Sequence, residues 1–455
     1  MFGNIADALR QIKLDVAQSL EPALITRVCQ ELGHRWRRRA LDPVATVHGF
    51  LLQVLHGNTA CSHVPHLLGK SVTAEAYGLA RARLPLKLFE RLLAQVCRGL
   101  QSCLDESARW RGHRVWMMDG SSCSMPDTPE LQAAFGQPGQ QAPGCGFPTA
   151  HLLTLFHAGT GLLLDVLAAP LRTHDMSQAS QLHGQLQAGD VLLADRGFCS
   201  YAHLALLFQA GVHAVLRLHQ KQCVSFRVGR MHAPPSPPFP KLKGGVHGLP
   251  RSRWIKWLGK RDQQVEYFKP PQRPKWMSEE QYAALGDSIV VRELRYQVAA
   301  SGCRTREVTI VTTLLDPTCY PAIEVAELYG QRWQIETNLR HLKQTLKMDV
   351  LHTKTVAGVK KELAMFALVY NLVRLVMLRA AERQQMPPER ISFIDALRWL
   401  RHARACQPLS DLELVPYRIG RHEPRVLKRR PKEFDLMKKP RHELRKALTH
   451  KQLTP

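Results

Sequence analysis

Apolar positions at helical spacing dominate the first part of the chain, residues 1 to about 110. The segment LDPVATVHGFLLQVLHG ends at Gly57-Asn58, a pair typical of a helix stop. Two shorter helices are predicted in CSHVPHLLG and in SVTAEAYGLARARLP, the latter with Ser71 or Thr73 as its N-cap. Three short helices with tight turns are compatible with a helix-turn-helix module and equally with a small helical bundle, so both interpretations stay open.

From about residue 114 the pattern changes to short apolar runs of strand length. They are VWMM (115–118), HLLTLF (151–156), LLLDVLAA (162–169), VLLA (191–194) and HAVLRL (213–218). A turn signal at Gly159 joins two of these runs, and helical segments at 175–187 and 200–210 separate others. Strands that alternate with helices in this way predict a mixed α/β sheet.

Residues 219 to about 304 differ in composition from the runs before them. The stretch 221–276 contains nine prolines, thirteen Lys or Arg and two acidic residues. Alternating runs such as SIVVREL and RYQVAA predict antiparallel strands, and we expect this segment to be an insertion rather than a continuation of the sheet. After VTIVTTLLD (308–316) the pattern becomes helical again and predicts helix to about residue 383.

The charge balance indicates the kind of partner, because 63 Lys and Arg against 38 acidic residues give a formal net charge of +25. Such an excess favours a polyanionic partner, nucleic acid first and an acidic membrane surface second. The most apolar helical stretch, ELAMFALVYNLVRLVMLRA, carries Asn371 and Arg374 near its centre, which argues against a membrane span. The basic tail 421–451 suits either a nucleic-acid contact or a solvated, partly disordered end.

Two further features bear on the cellular compartment. The N-terminal stretch MFGNIADALRQIK lacks the continuous apolar run of a signal peptide. The eleven cysteines are odd in number and contain no CxxC pair, so neither a disulfide framework nor a zinc site is indicated. We therefore expect a protein of the reducing cytoplasm.

Two aspartates directly follow apolar runs, Asp119 after VWMM and Asp195 after VLLA. Each one alone is more typical of a turn, but two such carboxylates at strand ends of one sheet can converge on a metal ion. We therefore predict that these two aspartates belong to one site. The rival acids are Asp165 inside a strand, Asp175 at a helix start and Asp190 in a turn.

The segment ELYGQRWQIETNLRHLKQTLK carries the third acid. At about 100° per residue, one narrow sector of this helix holds Tyr329, Arg332, Glu336, Arg340, Lys343 and Lys347. The adjoining apolar stripe comprises Leu328, Ile335, Leu339, Leu342 and Leu346. Pairing of Glu336 with Arg332 and Arg340 on a solvated face would explain the acid but not the otherwise basic sector. A face that holds a metal ion beside DNA phosphates explains both the acid and the basic residues around it. We therefore predict that Arg340 also contacts DNA.

The sequence of this segment resembles that of a known family. YGQRWQIETNLRHLK matches the pattern Tyr-x2-Arg-x3-Glu-x6-Lys, the signature of the insertion-sequence-four family of DDE transposases. The blocks MDGSSCSMPDTPE, GFPTAHLLTLF, AGDVLLADRGFCSY and TTLLDPTCYPAIEVAELY also resemble blocks of that family, in the same order. With VTAEAYGLARARLP, the resemblance covers roughly residues 70–380.

The resemblance implies an α/β fold, namely a ribonuclease H-like catalytic domain with a β-rich insertion. Asp119 would then lie on its first strand, Asp195 on its fourth, and Glu336 on a helix after the insertion. It further implies that Tyr329, Arg332 and Lys343 contact transposon-end DNA near the scissile phosphate. The partner would be double-stranded DNA, both transposon terminal repeats and target, bound by a homodimer in the synaptic complex and without a membrane.

We expect five parts along the chain. They are an N-terminal helical DNA-binding domain at 1–110, a catalytic domain divided between 111–218 and 317–385, a β-rich insertion at 219–316 and a basic region at 386–455.

Three carboxylates on separate elements suit two Mg²⁺ ions about 3.5–4 Å apart, with Mn²⁺ as a substitute. Such a site can activate water for strand cleavage and then use the freed 3′-OH for joining. A metal nuclease of the same fold that does not join strands is the first alternative. A catalytically inactive DNA-binding regulator is the second.

Tryptophans are the candidates for contacts with bases. Some relatives close the cut end into a hairpin and hold a flipped base on an aromatic side chain of the insertion's last strand, which replaces lost base stacking. Because REVTIVTTLL contains no aromatic residue, we expect Trp254 or Trp257 to take that role if a hairpin forms. Trp333, beside the basic sector, is a third candidate, although a core position is commoner for such a residue.

Overall fold

The computed structural model describes residues 2–37, 39–101, 109–139, 141–171, 173, 175–218, 224–229, 252–297, 307–404, 408–416 and 437–452. Most of the proline-rich stretch 221–251 and the densest part of the basic tail, 417–436, lie outside the described residues, as do the predictions made for them.

The described residues of the N-terminal part form seven helices, among them the three that the sequence analysis named. They are α1 (Phe2–Ile12), α2 (Leu14–Gln18), α3 (Pro22–Glu31), α4 (Pro43–Leu55), α5 (Val64–Leu68), α6 (Ala74–Arg83) and α7 (Leu86–Gln101). The helix α4 ends just before Gly57 and Asn58, both of which have positive φ. Of the two predicted caps of α6, Thr73 is the one used, and its hydroxyl accepts a hydrogen bond from the Ala76 N–H at 3.1 Å.

A nine-stranded mixed sheet forms the centre of the molecule, in the order β3-β2-β1-β4-β5-β9-β8-β7-β6. The strands are β1 (Val115–Ser124), β2 (Thr149–His157), β3 (Leu163–Pro170), β4 (Val191–Ala194), β5 (His213–Arg217), β6 (Ser252–Gly259), β7 (Asp262–Phe268), β8 (Ser288–Gln297) and β9 (Glu307–Thr312). Three neighbouring strands, β1, β4 and β5, are parallel, whereas the other pairings are antiparallel. The predicted mixed α/β sheet is confirmed.

The segment that contains β6 to β9 extends this sheet. Its strands pair antiparallel, as predicted, but β9 also pairs with β5 through Val215 and Thr312. The expectation that the segment does not continue the sheet is therefore wrong. Alternation of apolar residues reveals which residues form strands, but not which free edge those strands join, since pairing depends on contacts remote in sequence.

The remaining helices lie on both sides of the sheet. They are α8 (Pro129–Phe135), α9 (Asp175–Leu182), α10 (Tyr201–Gln209), α11 (Glu279–Ala283), α12 (Ala322–Gly330), α13 (Gln334–Arg340), α14 (Val356–Gln384), α15 (Phe393–Arg401) and α16 (Arg441–Gln452). The helix predicted to continue to residue 383 is interrupted between Leu346 and Val356, and Lys347 in this gap has a φ of +70°. A positive φ at a lysine ends a helix because a right-handed helix requires negative φ.

The helix α14 joins the N-terminal helices to the sheet. Its buried residues share one apolar core with those of α4 and α7 and with one face of the sheet. Asn58 donates a hydrogen bond from Nδ2 to Glu362 on α14 at 2.8 Å, although the two residues are 304 positions apart. Among the described residues α14 is the one helix long and apolar enough to cross a membrane, but 94% of its apolar window is buried inside the protein.

Candidate active site

Asp119 and Asp195 lie side by side on neighbouring strands. Met118 of β1 is paired with Ala194 of the parallel strand β4, so the two aspartates occupy the next position on each strand. Met118 and Ala194 are buried on one face of the sheet. Since side chains alternate along a strand, both aspartates point to the opposite face, which α14 covers.

The place of Asp119 within its strand corrects one expectation. Asp119 was predicted at the end of a strand, but β1 continues to Ser124 because β2 pairs with it along this length, with Thr154 opposite Asp119. The Thr154 hydroxyl donates a hydrogen bond to the Asp119 carbonyl at 3.0 Å. Asp195 directly follows β4, as predicted.

Glu336 approaches the same face from the helical side. The helix α12 contacts β5 and α13 contacts β1, so the two helices cross the sheet above the aspartates. Ile335 and Leu339 are buried in that face, whereas 51% of the Glu336 side chain is exposed. The other three leucines of the predicted apolar stripe, Leu328, Leu342 and Leu346, are also buried. The structure thus brings all three predicted acids to one face of the sheet.

Arg332 occupies the space between two of these acids. Its Nη1 lies 3.5 Å from Asp119 Oδ2, and its Nη2 lies 3.9 Å from Glu336 Oε1. The guanidinium carbon is 5.9 Å from the Tyr329 ring centroid and 5.5 Å from that of Trp333. Burial lowers the pKa of Arg332, but Tyr329, Asp195 and Asp119 raise it by more, so the net direction is upward. Arg332 is thus held as a buried cation within the acidic site.

The residues predicted to share one basic sector of the helix differ in how far they are exposed. Tyr329 and Arg332 are buried, and burial raises the pKa of the Tyr329 phenol. Arg340 is exposed, and Lys343 is partly exposed. Two irregular turns change the helical phase, a 3-10 turn over Gln331–Trp333 and a π turn over His341–Thr345. Lys347, which was predicted in the sector, lies beyond the helix end.

Arg217 is a site residue that the sequence analysis missed. Ala194 of β4 is paired with Leu216 of β5, so Asp195 and Arg217 occupy the next position of that pair of strands. Arg217 Nη1 lies 3.9 Å from Asp195 Oδ1. The only signal in the sequence was one arginine within the apolar run HAVLRL, which by itself indicates nothing more than the end of a strand.

Tyr296 of β8 was also missed. Burial raises the pKa of its phenol, and the positive charges of Arg217 and Arg332 lower it by less. Tyr296 therefore lies within the electrostatic reach of both arginines. The sequence contained no signal for this proximity, because it arises from the pairing of β5 with β9 and β9 with β8.

The predicted tryptophans lie in different places. Trp333 is 46% exposed beside the site, so the commoner core position does not apply to it. Trp254 and Trp257 lie on β6, at the edge of the sheet. Since β6 is five strands from β4 and strands are about 4.8 Å apart, about 24 Å separates these residues from Asp195. The structure does not bring them together with the acids.

The rival acids have other surroundings. Asp190 is buried and accepts hydrogen bonds from Arg114, at 2.8 Å to each carboxylate oxygen, and from the Trp116 indole at 2.9 Å. Asp165 lies on the edge strand β3, and burial raises the pKa of its carboxyl group. Asp175 is the first residue of α9. None of the three lies on β1, β4 or α13, the elements that carry the predicted site.

The two aspartates provide a donor set that fits a hard metal ion. Asp195 Oδ1 is buried and accepts no hydrogen bond, and its ion-pair partner Arg217 Nη1 lies 3.9 Å away. Carboxylate oxygens are the ligands that Mg²⁺ and Mn²⁺ prefer, and Mg²⁺ commonly uses only one or two of them. Within the described residues no three acidic, histidine or cysteine side chains are already close enough to surround an ion. Arg332 lies between Glu336 and Asp119, 3.9 Å from Glu336 Oε1 and 3.5 Å from Asp119 Oδ2.

The chain was compared with known proteins. A family model described as a transposase DDE domain matches residues 110–372, more than half of the chain. The chain is 25% identical over 456 residues to transposase InsG for insertion sequence element IS4 of Escherichia coli K12, covering 94% of this chain and 95% of InsG. It is 27% identical over 147 residues to the putative transposase InsZ of the same organism, covering 32% of this chain and 48% of InsZ.

A solved structure, the piggyBac transposase synaptic complex with hairpin DNA, is similar over 87% of this chain and 79% of that chain, with a TM-score of 0.41 and 10% sequence identity. The match of the family model includes both strands that carry Asp119 and Asp195 and the helix that carries Glu336. The near-complete coverage of InsG adds the N-terminal helices to the similarity. This chain therefore belongs to the DDE transposase family and is a transposase of an insertion sequence.

Proposed function

We propose that Asp119, Asp195 and Glu336 bind divalent metal ions and that this site cuts and rejoins DNA at the ends of the insertion sequence. The observation that carries the proposal is their position, since two adjacent strands and one helix direct three carboxylates to the same face of the sheet. The intact set of acids also favours a catalytic protein over a DNA-binding regulator.

Transposases of this family use divalent metal ions, and we propose two Mg²⁺ ions, which Mn²⁺ can replace. When bound, such ions activate the attacking oxygen and stabilise the leaving oxygen. The buried Asp195 oxygen without a hydrogen bond supports metal binding at this residue. Asp119 Oδ1 accepts a hydrogen bond from the Gly120 N–H at 2.9 Å, which fixes the orientation of that carboxylate.

The cations of the same helices would hold the DNA. We propose that Arg332, Arg340 and Lys343 bind phosphates near the scissile bond, with Tyr329 beside them. Guanidinium and ammonium groups position the backbone without reading its sequence. Trp333, exposed next to Arg332, would stack on a base at the transposon end. A role for Trp254 or Trp257 in a hairpin stays a prediction, and their distance from Asp195 weighs against it in a single subunit.

Several finer features belong to the same proposal. The sheet and the helices over it would form a ribonuclease H-like catalytic domain in two parts, 111–218 and 317–385, with the helical domain 1–110 and the basic region 386–455 as further DNA contacts. DNA is the substrate, specifically the terminal repeats and the target. We further propose that the enzyme acts as a homodimer in the synaptic complex, in the cytoplasm of a bacterium and on its nucleoid.

The decisive experiment replaces each acid by its amide, which keeps the shape but removes the charge that binds the metal. Asp119→Asn, Asp195→Asn and Glu336→Gln should each abolish Mg²⁺-dependent cleavage of the DNA that flanks the gene, while DNA binding remains nearly unchanged. Asp165→Asn is the matched control, because Asp165 is an acid of the same sheet outside the site. A variant of the three that still cleaves at a normal rate would show that its residue is not a metal ligand.

The same assay separates a transposase reaction from simple hydrolysis. A precut end with a free 3′-OH is supplied together with a target plasmid, and joined products are separated on a gel. Joining by the wild type and its loss in all three amide variants supports one site for both steps. Cleavage without joining would favour the metal nuclease.

A further inference from the structure

A row of three charged side chains crosses the sheet at the candidate site. On β1, β4 and β5 the residues Met118, Ala194 and Leu216 are paired side by side. The next residue along each chain segment is charged, namely Asp119, Asp195 and Arg217. Adjacent parallel strands are about 4.8 Å apart, and equivalent positions share a face. Arg217 is therefore a neighbour of the metal-binding acids by the architecture of the sheet.

Resting on the proposed function, we propose that Arg217 is a positioning residue that makes metal binding and DNA binding depend on each other. In the metal-free protein Arg217 pairs with Asp195 and acts as its counter-ion. When DNA binds, Arg217 transfers from Asp195 to a backbone phosphate and leaves the carboxylate to the metal.

The charges of the site explain why this transfer matters. Three carboxylates face two arginines, with Arg332 3.5 Å from Asp119 and Arg217 3.9 Å from Asp195. A divalent ion that enters while both arginines remain meets two like charges at short range, where electrostatic repulsion is strong. Metal affinity should therefore stay low until at least one guanidinium moves away. A DNA phosphate is the acceptor that matches a guanidinium best.

The geometry points to Arg217 rather than Arg332 as the mobile partner. Only 7% of the Arg332 side chain is exposed, and the rings of Tyr329 and Trp333 lie beside it. By contrast, 23% of the Arg217 side chain is exposed, and so is 31% of Asp195. Their contact is an ion pair without a hydrogen bond to Asp195 Oδ1. Such a loose pair between partly exposed side chains is easily exchanged for a stronger one.

Arg217→Gln in the full chain tests the first half of the proposal. Binding of Mn²⁺ alone, without DNA, is measured by electron paramagnetic resonance. Removing one positive charge about 4 Å from the ligand should raise the Mn²⁺ affinity about tenfold or more. Arg217→Lys keeps the charge and should bind Mn²⁺ as weakly as the wild type. The control is Arg261→Gln, which removes an arginine of the β6–β7 turn that is paired with Glu307.

The second half is tested by the salt dependence of DNA binding in the presence of Mn²⁺. Loss of one phosphate contact should reduce the slope of log K against log salt by about 0.9 in Arg217→Gln, with no change in Arg261→Gln. A raised Mn²⁺ affinity with an unchanged slope would overturn the transfer to phosphate. Equal thermal unfolding midpoints of the variants ensure that folding is not the cause.

Failure of this inference differs from failure of the proposed function. If Asp195→Asn abolishes Mn²⁺ binding but Arg217→Gln leaves the affinity unchanged, Arg217 is not the counter-ion and the assignment of the acids stands. If neither the wild type nor Arg217→Gln binds Mn²⁺ with or without DNA, both proposals are wrong.

Discussion

A pair of histidines fixes the loop that follows Asp195. His203 is fully buried, and its Nδ1–H donates to the Phe198 carbonyl at 2.8 Å. Its Nε2 must then accept a hydrogen bond, and His183 Nε2 lies 2.9 Å away with the two rings stacked. The Phe198 N–H in turn donates to the Asp195 carbonyl at 2.9 Å. The pair therefore supports the backbone next to Asp195, a proposed metal ligand, only while both rings are neutral.

This pair makes stability depend on pH in a defined direction. Burial lowers the pKa of His203 to about 4, and burial together with His203 lowers the pKa of His183 to about 3. Unfolded histidine has a pKa of about 6.5. Below about pH 6.5 the unfolded chain thus binds protons that the folded protein does not, so stability falls as the pH drops toward 4.

Replacing His183 by Gln removes one titrating group but retains a donor for His203. The free energy of unfolding should therefore fall less steeply than in the wild type between about pH 6.5 and 4, by up to about 1.4 kcal/mol per pH unit. Urea unfolding at several pH values measures both slopes. Equal slopes would show that His183 does not stay neutral in the folded protein.

At the scale of elements, α14 holds the start of strand β3 through a single side chain. Asn371 is buried, its Oδ1 accepts from the Leu163 N–H at 2.8 Å, and its Nδ2 donates to the Leu163 carbonyl at 2.8 Å. On the same helix Arg374 Nε donates to the Thr160 carbonyl in the β2–β3 turn at 3.0 Å. The two polar residues that argued against a membrane span thus contact the hairpin, together with Tyr370, whose hydroxyl donates to the Gly161 carbonyl at 2.9 Å.

Asn371→Leu should destabilise the fold because it leaves the buried Leu163 N–H without its side-chain partner and the Leu163 carbonyl with only the weak Cys97 thiol donor at 3.7 Å. Each such group costs about 1–3 kcal/mol, so we expect a loss of about 2–4 kcal/mol in the free energy of unfolding. Denaturant unfolding measures it. Glu382→Ala, an exposed change on the same helix, serves as the control and should stay within about 0.5 kcal/mol. A similarly small loss in Asn371→Leu would mean that the hydrogen bonds between Asn371 and Leu163 contribute little to the free energy of unfolding.

The elements also show how far the sequence could be interpreted. The run VLLA followed by Asp195 correctly predicted β4 and the position of Asp195 directly after it, because four apolar residues before a turn are a local signal. The length of β1 was not predictable, since DGSSCS lacks the alternation of a strand and becomes one only through pairing with β2. The role of Arg217 depended on the pairing of β4 with β5, which no local pattern encodes.

At the scale of the whole molecule, the start of the C-terminal helix α16 is attached to the segment 127–147, where Pro440 packs against Gly144 and the Arg441 side chain makes the polar contacts. Arg441 Nη1 lies 3.5 Å from Asp127 Oδ2 and 3.2 Å from the Gly146 carbonyl. Its guanidinium carbon lies 3.8 Å from the Phe147 ring centroid. The described side chains after Arg441 are exposed or nearly so, and Arg445 and Lys446 are among them. Part of the basic tail is thus an ordered helix, which the composition alone left undecided.

Arg441→Ala should release this helix. Loss of the ion pair and of the stacked guanidinium leaves α16 without its anchor, so limited proteolysis should remove the C-terminal segment several-fold faster. Arg445→Ala is the control, because it removes an exposed arginine of the same helix without touching the anchor. Equal cleavage rates in the two variants would place the attachment elsewhere.

The core shared by the N-terminal helices and α14 can be completed only late in the synthesis of the chain. Asn58 leaves the ribosome 304 residues before its partner Glu362, a delay of about 15 to 60 s at about 5–20 residues per second. During that interval the apolar surface of α4 and α7 that packs against α14 lacks this partner, and so does the face of the sheet that α14 covers. A nascent chain cut short before α14 would expose this surface permanently, so truncated products should aggregate or be degraded instead of persisting as partly active enzyme.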